Sequence, residues 1–258
     1  MGAIYLDNNA TTRMRPEVRT ALLTALDEGL GNPSSLHSSG RRARQHLDEA
    51  RERVAAALAV HEDEVVFTSG GTESNNLALQ GVLRAGPRGA MLVTSAIEHS
   101  SVLATAGALS RDGYPFRAVA VDAGGTIDTN ALARLALEPG CRLVSVMAAN
   151  NEIGTCMPLD VIGGMLSERR ARPLFHTDAV QALGRVPLQL RGWGIDLASF
   201  SVHKLGGPVG VGVLYRRLGV ELAALHFGGA QEGALRPGTE NVAGIVAAAL
   251  AVELAVRE

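Results

Sequence analysis

Lys204 is the only lysine among 24 basic residues, and the other 23 are arginine. It stands in "FSVHKLGGPVGVGVLY", Phe200 to Tyr215, between a strand-like run and a Gly/Pro turn rather than on a polar helix face. A lysine amine can lose its proton and attack a carbonyl, whereas guanidinium stays charged. A sole lysine at a strand end beside Ser201 and His203 therefore points to Schiff-base chemistry; the competing reading is a stray surface lysine.

Other strand ends carry polar residues too. "VVFTSGGTESNN" reads as a strand, a small-residue turn and a helix. Backbone N–H groups from Gly70 through Gly71 and Thr72 to Glu73 would face an anion at the helix start, with the Thr72 hydroxyl in support. A plain N-capping turn fits the same residues. The stretch is neither a Walker A loop nor GxGxxG. In "PLFHTDAVQALG", Asp178 ends a strand and Gln181 follows one helical turn later, so both can reach one object. An acid beside a pyridinium nitrogen would keep such a ring protonated, although an N-capped helix start also calls for Asp.

"VTSAIEHSSV" puts His99 just after a strand, and "VMAANNEIGTCMP" puts Asn150 and Asn151 after another. Amides there would orient a ligand or merely make a turn. Cys156 has no neighbour that would lower its pKa and is expected to be a small buried filler. His37, His46, His61 and His226 lack metal-ligand spacing, so no metal site is expected.

The elements that must position these residues are legible as alternation. Strands are predicted at "EVVFT", "AMLVTS", "FRAVAV", "RLVSVM", "PLFHT", "LASFSV" and "VGVLY". Helices are predicted at Pro16–Asp27, Ser39–Ala59, Thr72–Arg84, Ser100–Ser110, Asn130–Leu137, Leu159–Arg170 and Asn241–Glu258. The pattern predicts an α/β fold with a mainly parallel seven-stranded sheet flanked by helices. "HKLGGPVG" is too short for a parallel crossover, so "VGVLY" should run antiparallel. Ligands of open α/β sheets bind at the carboxyl ends of strands, where the candidate residues collect.

Composition narrows the setting. With 258 residues, 47% of them hydrophobic, the chain has length for one large domain or two modest ones. A formal charge of −2 argues against nucleic-acid binding, and the basic-looking "RRARQHLDEARERV" alternates with acids as a solvated helix face does. "VAGIVAAALAV" is too short to span a membrane. Two cysteines make no disulfide framework, and no signal-peptide pattern precedes "AIYLDNNATT", so a cytoplasmic protein is expected.

"YLDNNATT", "GNPSSLHSSGRRA", "FTSGGTESNN", "EHSSV", "NNEIGT", "DAVQALG", "SFSVHKLGGPVGVGVLY" and "RPGTEN" together resemble, in order, motifs of the cysteine desulfurases of the class-V aminotransferase family. The resemblance implies fold type I and the cofactor pyridoxal 5′-phosphate (PLP). It implies that Lys204 bonds the cofactor and moves the substrate α-proton, and that His99 stacks on the ring with an acid/base role. Asp178 would pair with the ring nitrogen, and Gln181 with the phenolic oxygen. Gly71, Thr72, Ser201 and His203 would hold the phosphate, Asn151 the ring or the substrate carboxylate, and Thr239 a phosphate across a homodimer interface.

Implied partners are L-cysteine or a related amino acid and a sulfur-acceptor or scaffold protein. Residues 1–15 are expected to form an N-terminal arm and 16–240 the PLP-binding large domain. Residues 241–258 would start a helix leading to a small domain, expected to be missing together with its loop cysteine and substrate-binding arginine. Sulfur transfer by this chain alone is therefore expected to be impaired. Ala230 and Gly233 depart from the family pattern. The alternatives are another class-V enzyme, such as a selenocysteine lyase or aminotransferase, or a non-catalytic binding protein with this fold.

Overall fold

A computed structural model describes residues 4–168 and 172–258. After an arm without helix or strand come α1 (Pro16–Asp27) and α2 (Ser38–Leu58). Then β1 (Val65–Thr68), α3 (Gly71–Ala85), β2 (Met91–Ser95), α4 (Ser100–Arg111), β3 (Phe116–Val119), α5 (Thr129–Ala136) and β4 (Cys141–Ser145) alternate. The remainder is α6 (Leu159–Ser167), β5 (Leu174–Asp178), β6 (Leu197–Ser201), β7 (Gly212–Arg216) and α7 (Val242–Arg257). The end of the helix predicted to reach Arg170 lies outside the described residues.

The seven strands form one sheet in the order β1-β7-β6-β5-β4-β2-β3. β2 pairs parallel with β3 and β4, and β4, β5 and β6 continue in parallel. β7 runs antiparallel to both β6 and β1, as its short connection to β6 requires.

Alternate residues along the strands feed two apolar layers, because side chains on a strand have period two. Val65, Phe67, Met91, Val93, Val144, Ala198 and Phe200 join one layer, while Val66, Leu92, Leu143 and Leu197 join the other. Both faces are thus covered, which is why these strands read as continuous apolar runs rather than as alternating ones.

α7 packs against α1 and α2, and its alanines 247, 248, 249 and 251 are fully buried, letting the helices approach closely. Asn241 caps it through Gly244 N–H at 3.1 Å. α2 ends at Ala59, which takes the left-handed conformation at φ 54°.

One predicted element is absent. The residues after Asp178 form successive turns, with Ala182 N–H and Leu183 N–H both donating to Ala179 O, instead of a helix. Gly184, at φ 71°, lies where a Cβ would come within 2.8 Å of Ala255 Cβ, so the chain turns away there.

Candidate active site

Strand order explains how distant motifs meet. β1 and β6 flank β7, so the start of α3, which follows β1, lies against the end of β6; a Cβ on Gly71 would come within 3.4 Å of Ser201 Cβ and 2.7 Å of Val180 Cγ2. A side chain at position 71 would have to displace the Val180 methyl. From β6 towards β2, successive strand ends deliver Lys204, Asp178, Asn151 and His99. They line one cavity of about 280 Å³ together with Gly71, Thr72, Gln181, Ser201 and His203. Every predicted site residue except Thr239 is there; Thr239 is exposed and lies outside the lining.

The cavity has an anion-seeking end. α3 starts without a side-chain cap on Gly70, leaving its first N–H groups and the positive end of its dipole beside Ser201 and His203. The His203 ring is anchored through Nδ1 to Thr11 Oγ1 at 3.0 Å. Burial, and then the Lys204 charge, push its pKa down.

The middle is acidic. Asp178 is buried and accepts from Asn75 Nδ2 at 2.7 Å and from Val180 N–H at 3.0 Å. Burial pushes its pKa up, while the Asn75 bond, the Val180 bond, His99 and Lys204 oppose that rise. Lys204 faces it from β6, with its own pKa pushed down by burial and then by the Arg185 guanidinium, against the pull of Asp7 and Asp178.

The arm closes the site, which no motif predicted. Lys204 Nζ donates to the carbonyls of Asn9 and, at 2.7 Å, Ala10. Gln181 Nε2 donates to Asn9 O at 3.0 Å, and Gln181 Oε1 accepts from Arg185. Thr12 is pinned from both sides, its hydroxyl donating to His203 O at 2.6 Å and accepting from Gly206 N–H at 2.7 Å.

His99 caps α4: its Nδ1 accepts from Ser101 N–H at 3.1 Å. The two asparagines divide the roles left open by sequence. Asn150 makes the turn, accepting from Glu152 and Ile153 N–H, while Asn151 faces the cavity.

Cys156 is exposed, not the buried filler expected, although its backbone bridges to the buried Ala149. Neither cysteine lines the cavity. Glu98, adjacent to His99, was also missed. It is buried, accepts from Ser95 Oγ at 2.6 Å and Met147 N–H at 2.8 Å, and burial pushes its pKa up to about 8.

The donor set suits a flat ring bearing an anionic group, a basic nitrogen and a carbonyl. The helix start would suit the anion, Asp178 the nitrogen and the Lys204 amine the carbonyl. Asn75 Oδ1, buried at the cavity wall with no partner among the described residues, adds an acceptor. No group of three or more metal-ligating side chains occurs among the described residues.

The sequence profile of the aminotransferase class-V family matches residues 4–257. The cysteine desulfurase IscS of Dictyoglomus turgidum is 45% identical over 256 residues, covering 99% of this chain and 64% of that protein. A cysteine desulfurase of Cereibacter sphaeroides is 47% identical over 258 residues, covering 99% of this chain and 66% of that protein. The chain thus spans just under two thirds of the length of these relatives. Among solved structures, a NifS-like protein superposes with a TM-score of 0.96 at 43% identity, covering 100% of this chain and 70% of that one. The structure of SspA in complex with cysteine superposes with a TM-score of 0.92 at 36% identity, covering 97% of this chain and 72% of that one.

Proposed function

Because the chain belongs to the class-V aminotransferase family, a family of PLP enzymes, we propose that it binds PLP and carries out the cofactor chemistry of a cysteine desulfurase. The net reaction converts L-cysteine and an acceptor thiol into alanine and a persulfide. The observation that carries this reading is the convergence of the sole lysine, a buried acid, an imidazole and an uncapped helix start in one cavity. The relatives' names, and the neighbour solved with cysteine, support L-cysteine as the substrate.

When bound, PLP supplies an electron sink that makes the substrate α-proton acidic. The chain's part is binding and proton handling. The start of α3, with Thr72, Ser201 and His203, would hold the phosphate. The Asp178 carboxylate would accept a hydrogen bond from the protonated ring nitrogen, and the Gln181 amide would donate to the phenolic oxygen. Lys204, held by the Asn9 and Ala10 carbonyls, would bond the cofactor carbonyl, and its lowered pKa raises the fraction of free amine able to take the α-proton. His99 would present its imidazole to the ring, and Asn151 would orient the ring or the substrate carboxylate.

Thr239, exposed outside this cavity, is proposed to serve the site of a second copy in a homodimer. A sulfur-acceptor or scaffold protein and a cytoplasmic setting belong to the same proposal; the two cysteines are not disulfide-bonded. No helix among the described residues is long and apolar enough to cross a membrane.

Borohydride reduction of PLP-loaded protein tests the assignment. Pyridoxyl label is expected on the peptide containing Lys204, and Lys204→Arg should lose it despite keeping the charge. Label confined to the N-terminal amine of the unaltered protein would overturn the reading.

A further inference from the structure

We propose that Asn75 is a positioning residue that joins the two sides of this site: it holds the Asp178 carboxylate as an acceptor and, through Ser101, keeps the single proton of His99 on Nε2, the nitrogen left to face the cavity. The inference rests on the reading that Asp178 and His99 serve a bound ring.

The geometry leaves little freedom. Asn75, on α3, is buried, and its Nδ2 lies 2.7 Å from Asp178 Oδ2 and 2.8 Å from Ser101 Oγ. The opposite amide orientation would put Oδ1 against the carboxylate, so Nδ2 gives one hydrogen to each partner. Ser101 Oγ, having accepted from Asn75, stands 2.8 Å from His99 Nδ1. Ser101 N–H, which can only donate, points at the same nitrogen from 3.1 Å. Nδ1 must therefore carry a lone pair, the Ser101 hydroxyl must donate to it, and the ring proton sits on Nε2. One chain of donors then runs from Asn75 outward to both catalytic candidates.

Besides this chain, the charged or titratable groups acting on Asp178 are His99, Lys204 and Glu98. They act through space and need no Ser101. That difference makes the relay measurable in cofactor-free protein, where the result does not depend on whether PLP binds.

The experiment is a double-mutant cycle read by NMR: the His99 imidazole ¹⁵N shifts and the Asp178 carboxyl midpoint in Asn75→Leu, Ser101→Ala and the double variant. Asn75→Leu is expected to raise the Asp178 midpoint by about one pH unit, and Ser101→Ala to leave it in place. Ser101→Ala should weaken the Nε2–H preference of His99. Asn75→Leu should move the His99 ¹⁵N shifts in the background with the Ser101 hydroxyl and leave them in place in the background without it. If Asn75→Leu does not fold, Asn75→Ala, which removes the donors without adding a titratable group, takes its place in the cycle. Equal His99 shifts in both backgrounds, or an unmoved Asp178 midpoint, would overturn the proposal. Failure of borohydride labelling with an intact cycle would instead sink the cofactor reading and leave the relay standing.

Discussion

Glu98 and His176 are two buried titratable groups with opposite consequences. Glu98 rises from 4.5 to about 8, so between these values the folded protein keeps a proton that the unfolded chain releases. Its contribution to stability is full below pH 4.5 and is lost as pH rises towards 8. His176 lies buried between Ser145 Oγ and Ser199 Oγ at 2.8 and 3.0 Å, and burial pushes it from 6.5 down to about 3. Its contribution is full above pH 6.5 and is lost as pH falls towards 3. Each slope approaches about 1.4 kcal/mol per pH unit, so the two offset between pH 4.5 and 6.5, and Glu98 dominates above. The unaltered protein should therefore lose melting temperature between pH 6.5 and 8, and Glu98→Gln should flatten that fall. Parallel melting curves for the two proteins across that range would contradict the assignment.

Elements are locked to one another by buried ion pairs rather than by the site. Asp196, fully buried before β6, takes Arg172 at 2.6 and 2.9 Å, Arg217 at 2.6 Å and Phe175 N–H at 2.8 Å. It thereby fixes β5, β6 and the exit from β7 at the end of the sheet opposite the cavity. Removing one partner of such a set leaves buried charge uncompensated, which typically costs about 3–5 kcal/mol. Asp196→Asn, which takes out the buried charge itself and leaves both arginines partly exposed, is expected to lose about 2 kcal/mol in urea unfolding, with PLP absorbance at saturation unchanged. A loss of PLP binding larger than the loss of stability would mean that this end of the sheet also shapes the cavity. Arg51 and Glu232 make a comparable lock at β1, where Glu232 also accepts from Phe67 N–H at 2.8 Å.

For the molecule as a whole, the cavity and the thiols are separate. Neither Cys141 nor Cys156 lines the cavity, and Cys156 is exposed. A Cys141→Ser, Cys156→Ser variant loaded with PLP should exchange the α-proton of cysteine with solvent as fast as the unaltered chain, followed by NMR in D₂O. Sulfide release is expected to depend on an added thiol in both proteins. A tenfold slower exchange in the double variant would bring one of these cysteines into the proton chemistry.

The short apolar runs of β1, β2 and β4 to β7 and the brief "HKLGGPVG" connection carried the sheet and the direction of β7, because strand preference and chain reach are local properties. The strand-end positions of Lys204, Asp178 and His99 were legible for the same reason. Gln181 was expected on a helix and sits in a turn, since packing of Gly184 against α7, far along the chain, decides that backbone. Asn75 reads as one more polar residue in "ESNN", yet its partner is 103 residues away; Asn9 meets Lys204 across 195. Local sequence specifies which elements form and where they end. Which polar atom meets which is settled only when strand order brings those ends together, because the hydrogen bonds of a buried site are satisfied by neighbours in space.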